Sequence, residues 1–232
     1  MKKILPLLFL FSFSLLQAQE RYQDEIFTDV KVTSDVTYGT NISILSIILG
    51  ESLTPQPEDM KMDIYEPAGD SMTNRPVVII THRGDFLPAF INQQPYGQKE
   101  DFAIAELCKS LARRGYIAVG MNHRIGWNPF GTSIEKKSTI LQASYRAAQD
   151  LRTCVRFFRK TAAEDGNPYG VDPAKIAIGG YDSAGFAAHS AANLKTGSQA
   201  LLPKFLDLST MPATAFVDTT LFGNPYGTDD RP

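Results

Sequence analysis

The stretch Lys175-Ile176-Ala177-Ile178-Gly179-Gly180-Tyr181-Asp182-Ser183-Ala184-Gly185-Phe186 decides the fold. Lys175 to Gly179 is a short apolar run of the kind buried on both faces of a parallel sheet. Gly180 to Gly185 is a compact turn built on small residues. From Gly185 to Leu194 the side chains stay small, which suits a helix packed closely on a sheet. A strand that turns sharply into a helix lifts one side chain at the carboxyl end of the sheet, where α/β proteins gather ligands. The helix N-terminus beneath that turn offers oriented N–H groups to developing negative charge.

Upstream, the same alternation repeats. Pro76-Val77-Val78-Ile79-Ile80 and Tyr116-Ile117-Ala118-Val119-Gly120-Met121 are two further buried strands. Between them, Asp101 to Arg114 sets Ile104, Leu107, Cys108 and Leu111 on one face, the pattern of an amphipathic helix, and Gly115 stops it. A second helix is expected from about Thr139 to Glu164, with Ala147, Leu151, Cys154, Val155, Phe158 and Ala162 in steps of three and four. Ile26 to Thr33 and Met60 to Tyr65 read as extended structure, the latter stopped at Glu66-Pro67. Past Thr196 the pattern degrades. Strand and helix alternating from Pro76 to Leu194 predict a mainly parallel sheet with helices on both faces.

Composition bounds the function. The chain has 232 residues, 43% hydrophobic, with 23 Lys+Arg against 25 Asp+Glu. That excludes a disordered chain and lacks the basic footprint of a nucleic-acid binder. No spacing of metal ligands stands out, and no cofactor motif is present, so neither a metal nor a cofactor is expected. Met1-Lys2-Lys3, the apolar run Ile4 to Leu16 and Ala18 have the layout of a secretory signal peptide. The run is shorter than the ~20 residues of a membrane span. The expected organisation is therefore a leader over 1–18 and one domain over 19–232, in a secreted or periplasmic protein. Such a compartment permits a disulfide, but Cys108 and Cys154 are equally well explained as buried thiols, and no pairing is assigned. Oligomeric state is not readable.

Several motifs fall in a fixed order. Met62-Asp63-Ile64-Tyr65-Glu66-Pro67 is followed by His82-Arg83-Gly84-Asp85-Phe86. Arg113-Arg114-Gly115-Tyr116 leads to Asn122-His123-Arg124. Ala148-Gln149-Asp150 and Arg156-Phe157-Phe158 precede Gly170-Val171-Asp172-Pro173 and the turn at 180–185. Over roughly residues 60–195 the chain resembles secreted α/β-hydrolases of the carboxylesterase and hormone-sensitive-lipase-like kind. The resemblance implies a nucleophile elbow at 180–185. It also implies an oxyanion hole from the N–H groups of Gly84, Asp85 and Ala184, with His82 supporting the loop, and a small-molecule ester as substrate.

The departures are specific. The family's elbow reads Gly-x-Ser-x-Gly. Counting back from Gly185 makes Ser183 the nucleophile, with Tyr181 where a glycine is expected. Counting forward from Ile176 puts Asp182 there instead, flanked by Gly180 and Ala184. Either the turn holds one extra residue, or Asp182 occupies the elbow tip as a carboxylate nucleophile. In the oxyanion loop, Arg83 and Asp85 replace glycines, and Asp85 would repel an oxyanion unless Arg83 pairs with it.

A serine nucleophile needs a base, which in this fold follows it in sequence. Only His189 follows Ser183, six residues on in the same helix, where it points away from the elbow. His82 belongs to the oxyanion loop and His123 reads as structural. Losing the triad histidine costs on the order of 10⁶ in kcat. The favoured expectation is a front portion of the fold, with the last strands and the acid–base half of the triad missing; a degenerate hydrolase, or a complete chain with an unusual base such as His82, are the alternatives. A secreted ester hydrolase and a non-catalytic ligand-binding protein on the same fold both fit.

Overall fold

The computed structural model describes residues 20–223. The expected leader at 1–18 and the segment 224–232 lie outside them.

Five strands form one sheet in the order β1-β2-β4-β3-β5. They are β1 (Val30–Ser43), β2 (Gln56–Pro67), β3 (Arg75–Thr81), β4 (Ile117–Met121) and β5 (Val171–Gly180). Strand β2 runs antiparallel to both β1 and β4, while β3 is parallel to β4 and β5. Four of the five strands therefore share one direction. The expectation of a mainly parallel sheet holds, with β2 as its single reversal.

The core sits on the two faces of β3 and β4. Every residue of β4 is buried, as its continuous apolar run requires. Helix α3 (Phe102–Arg113) covers one face, with Ile104, Cys108 and Ala112 against Tyr65 and Ala118. Helices α4 (Ser133–Glu164) and α5 (Ala184–Asn193) cover the other. There Ala147, Leu151, Cys154 and Phe158 of α4, and Ala187 and Ala191 of α5, pack on Met62, Val77, Ile79 and Val119. The alanines of α5 let its backbone approach the sheet. Cys108 and Cys154 belong to these opposite layers and both are free and buried. Burial pushes the Cys108 thiol up to about 12.

Two elements exceed expectation. Helix α4 begins six residues earlier than its apolar period, because Thr132 and Glu135 form a reciprocal capping box, which satisfies two orphan N–H groups. Strand β1 is twice interrupted, between Thr33 and Val36 and between Thr37 and Gly39. A short helix, α1 (Leu45–Ile48), joins it to β2, and α2 (Ala89–Asn92) lies in the long loop after β3. Beyond α5 the chain has two 3₁₀ turns (Gly197–Leu201 and Pro203–Phe205), the two-residue strands β6 (Leu206–Asp207) and β7 (Thr214–Ala215), and α6 (Thr219–Phe222). Among the described residues no helix is long and apolar enough to cross a membrane.

Candidate active site

Parallel pairing brings the two candidate loops together. Thr81 at the end of β3 pairs with Gly180 at the end of β5, so both strands stop at the same level. The Tyr181 N–H then donates to the Thr81 carbonyl at 3.1 Å. Strand β3 runs on into the His82–Phe86 loop, and β5 runs on into the elbow.

The elbow turns on Gly180. A Cβ at that position would lie 2.1 Å from the Ala184 carbonyl oxygen, so only glycine lets α5 fold back over the strand end. Asp182 has φ of +55°, the left-handed region that costs an ordinary L-residue roughly 1–2 kcal/mol and which Asp tolerates better than most. Ser183 returns to right-handed helical geometry at φ −54°, ψ −34° as the N-cap of α5. The backbone therefore follows the forward count: Asp182 is the exposed tip between Gly180 and Ala184, and Ser183 is the first residue of the helical turn behind it.

Ser183 nevertheless faces the other loop. Its Oγ accepts the Asp85 N–H at 3.0 Å. The expected third donor, Ala184, has its N–H directed at the Tyr181 carbonyl at 3.3 Å. That bond closes the turn. Gly84, Asp85 and Phe86 all have positive φ. The loop is held from several sides. The Asn92 amide and the Leu87 N–H both donate to the Gly84 carbonyl at 2.9 Å. The Trp127 indole N–H donates to the Asp85 carbonyl at 2.7 Å, and the Gly126 N–H to the Phe86 carbonyl at 2.6 Å.

Beneath the loop, His82 is buried with its Nδ1–H donating to the Arg83 carbonyl at 2.6 Å. It stacks on His123 with ring centroids 4.4 Å apart. Burial holds both imidazoles below their usual range, His123 well below it. His123 Nδ1 meets the Thr81 hydroxyl at 2.8 Å. A cavity of about 540 Å³ adjoins this pair, walled by Leu45, Leu49, Glu58 and Phe90. Neither histidine is bonded to Ser183 or Asp182. His189 lies exposed on α5, where its ring and carbonyl take the Asn193 amide. Among the described residues no histidine is placed as a base for the elbow, and no group of three or more metal-ligating side chains occurs.

The partner of Arg83 is not the one the sequence suggests. The guanidinium does not pair with Asp85. It lies 3.3 Å from the centroid of the Tyr96 ring and 5.3 Å from that of Tyr181. Trp127 joins the site as well, and no sequence signal ties its indole to Asp85. A charged side chain in a glycine position is the one signal pointing to an unusual contact at residue 83.

No family model matches the chain, and no curated protein matches it. Among solved structures it is similar to esterase 2 of Thermogutta terrifontis. The form phosphonylated by sarin is 23% identical, covering 57% of this chain and 40% of that one, with a TM-score of 0.42. The form phosphorylated by paraoxon is 21% identical, covering 74% and 50%, with a TM-score of 0.42. The chain thus spans half or less of the length of these proteins. The strand order, the lone antiparallel β2 and the elbow after β5 give the described residues an α/β-hydrolase fold.

Proposed function

We propose that the chain is a carboxylic ester hydrolase acting on small-molecule esters, with Ser183 as nucleophile. The observation that supports this reading is the Asp85 N–H at 3.0 Å from Ser183 Oγ. An oxyanion forms beside the attacking atom, and a preorganised backbone donor is most useful there. Ser183 Oγ attacks the acyl carbon and loses its proton to a base. The carbonyl oxygen takes up the negative charge against the Asp85 N–H, with Gly84 as the neighbouring donor, and the alcohol leaves as the acyl-enzyme forms. Water then releases the acid. Among the described residues no histidine is placed as that base.

Two observations favour a second reading, a protein of the same fold that binds a ligand without turnover. No histidine among the described residues reaches the elbow, and the Ala184 N–H is engaged in the turn. A third reading, Asp182 as a carboxylate nucleophile, draws on its φ of +55° at the elbow tip. Secretion is proposed from residues 1–18, and N-terminal sequencing of exported protein starting at Gln19 is the expected result.

Time-resolved release of p-nitrophenol from p-nitrophenyl acetate separates these readings. The hydrolase reading expects a burst of product matched to the enzyme concentration and absent in Ser183→Ala. A trace indistinguishable from buffer would leave the binding reading standing. A burst lost in Asp182→Ala and kept in Ser183→Ala would move the nucleophile to Asp182.

A further inference from the structure

The residue that replaces a glycine in the oxyanion loop is held in an unusual way. Among the described residues no carboxylate lies within ion-pair distance of the Arg83 guanidinium, although Asp85 stands in the same loop and Asp182 adjoins Tyr181. Instead the cation sits against two rings, Tyr96 at 3.3 Å and Tyr181 at 5.3 Å, both within the ~6 Å reach of a cation–π contact. The three residues come from two connections: Arg83 and Tyr96 from the long loop after β3, on either side of α2, and Tyr181 from the elbow one residue before its tip.

The Tyr96 segment is itself anchored. Gly97 is packed so tightly on Gly84 that a Cβ on Gly84 would meet its Cα at 2.9 Å. The Gly97 N–H donates to both carboxylate oxygens of Asp101, at 2.9 and 3.1 Å, at the start of α3. Tyr96 is therefore a platform fixed to the body of the domain. Tyr181 belongs to the elbow, its N–H tied to β3 through Thr81.

We infer that Arg83 is a positioning residue: in contact with the rings of both Tyr96 and Tyr181, it clamps the oxyanion loop to the elbow and so holds the Asp85 N–H on Ser183. The inference deepens the ester-hydrolase reading and rests on it for its catalytic consequence. The clamp itself is a statement about loop order. A planar guanidinium suits this role better than an ammonium, because it stacks on ring faces and is more weakly hydrated. Glycine, the family's residue at this position, offers no such link.

The test uses the full chain and two readouts. Hydrogen exchange of the 81–86 and 180–186 segments reports the clamp without any chemistry. Labelling by a fluorophosphonate reports its effect on Ser183. Arg83→Met and Tyr96→Leu should each speed exchange in both segments, and each should slow labelling about tenfold, the scale of one lost contact of this kind. Tyr96→Phe keeps the ring and should retain wild-type exchange and labelling. Unchanged exchange in Arg83→Met would overturn the clamp. If Arg83→Met unfolds globally, the Tyr96 pair decides, and equal exchange in Tyr96→Leu and Tyr96→Phe would overturn it. Failure of the wild type to label counts against the hydrolase reading alone, because the exchange comparison still stands.

Discussion

Asp85 and Ser183, 98 residues apart in sequence, are joined by a backbone N–H to Oγ hydrogen bond of 3.0 Å. The flush ends of β3 and β5 make this possible, and the loops beyond them meet at the sheet's carboxyl edge. The geometry depends on Gly180. Replacing it with alanine puts a methyl group 2.1 Å from the Ala184 oxygen, a clash with backbone that no rotamer relieves. Gly180→Ala should lose about 1–3 kcal/mol of stability in urea unfolding, together with any reaction at Ser183. Alanine at Gly166 is the control, since a Cβ there meets nothing within 4 Å and only the positive φ is penalised.

A buried ion pair holds the base of the neighbouring loop. Arg124 and Asp150 lie 2.7 Å apart with side chains 4% and 1% exposed. Asp150 also accepts the Arg124 N–H at 2.8 Å, and Arg124 reaches the Ile42 carbonyl at 2.9 Å. Removing one partner leaves a buried charge without compensation, so Asp150→Ala should cost about 3–5 kcal/mol. Equilibrium denaturation measures it, and a loss below about 1 kcal/mol would mean the site is open to water.

Burial of His82 and His123 makes stability pH-dependent with a definite sign. Their folded pKa values lie below the unfolded value of about 6.5. The unfolded chain therefore binds more protons as pH falls below that value, and stability drops with it; above it the contribution is fully present. The urea midpoint should fall as the pH is lowered from about 7.5 to 5.5. In His123→Phe roughly half of that fall should disappear. A flat profile over this window in the parent protein would contradict the burial of the histidine pair.

The parts of the fold that are readable in sequence are those where burial writes a period. The run Pro76 to Ile80 lies within β3, and the amphipathic face from Ile104 to Leu111 within α3, to within one or two residues at each end. Strand β1 is longer than its pattern suggests because two register shifts reset its inside–outside alternation. The first turns of α4 are solvent-exposed from Ser133 to Lys137, so no apolar stripe marks them. Thr132 and Glu135 are the available sign. The elbow is ambiguous for a different reason. Its tip is decided by which residue takes a positive φ, and Gly180, Ala184 and Gly185 are small enough to permit two registers in sequence. Packing of Gly180 under Ala184 selects one of them. The Arg83 stack joins segments that no local pattern links.

Ser183, held by the Asp85 N–H, is the proposed nucleophile although Asp182 stands at the elbow tip. Fluorophosphonate labelling of the full chain, with the modified residue located by mass spectrometry, tests this most directly. One adduct is expected, on Ser183, abolished in Ser183→Ala and retained in Asp182→Ala. Labelling that survives Ser183→Ala unchanged, or a wild type that takes up no probe, would contradict the assignment.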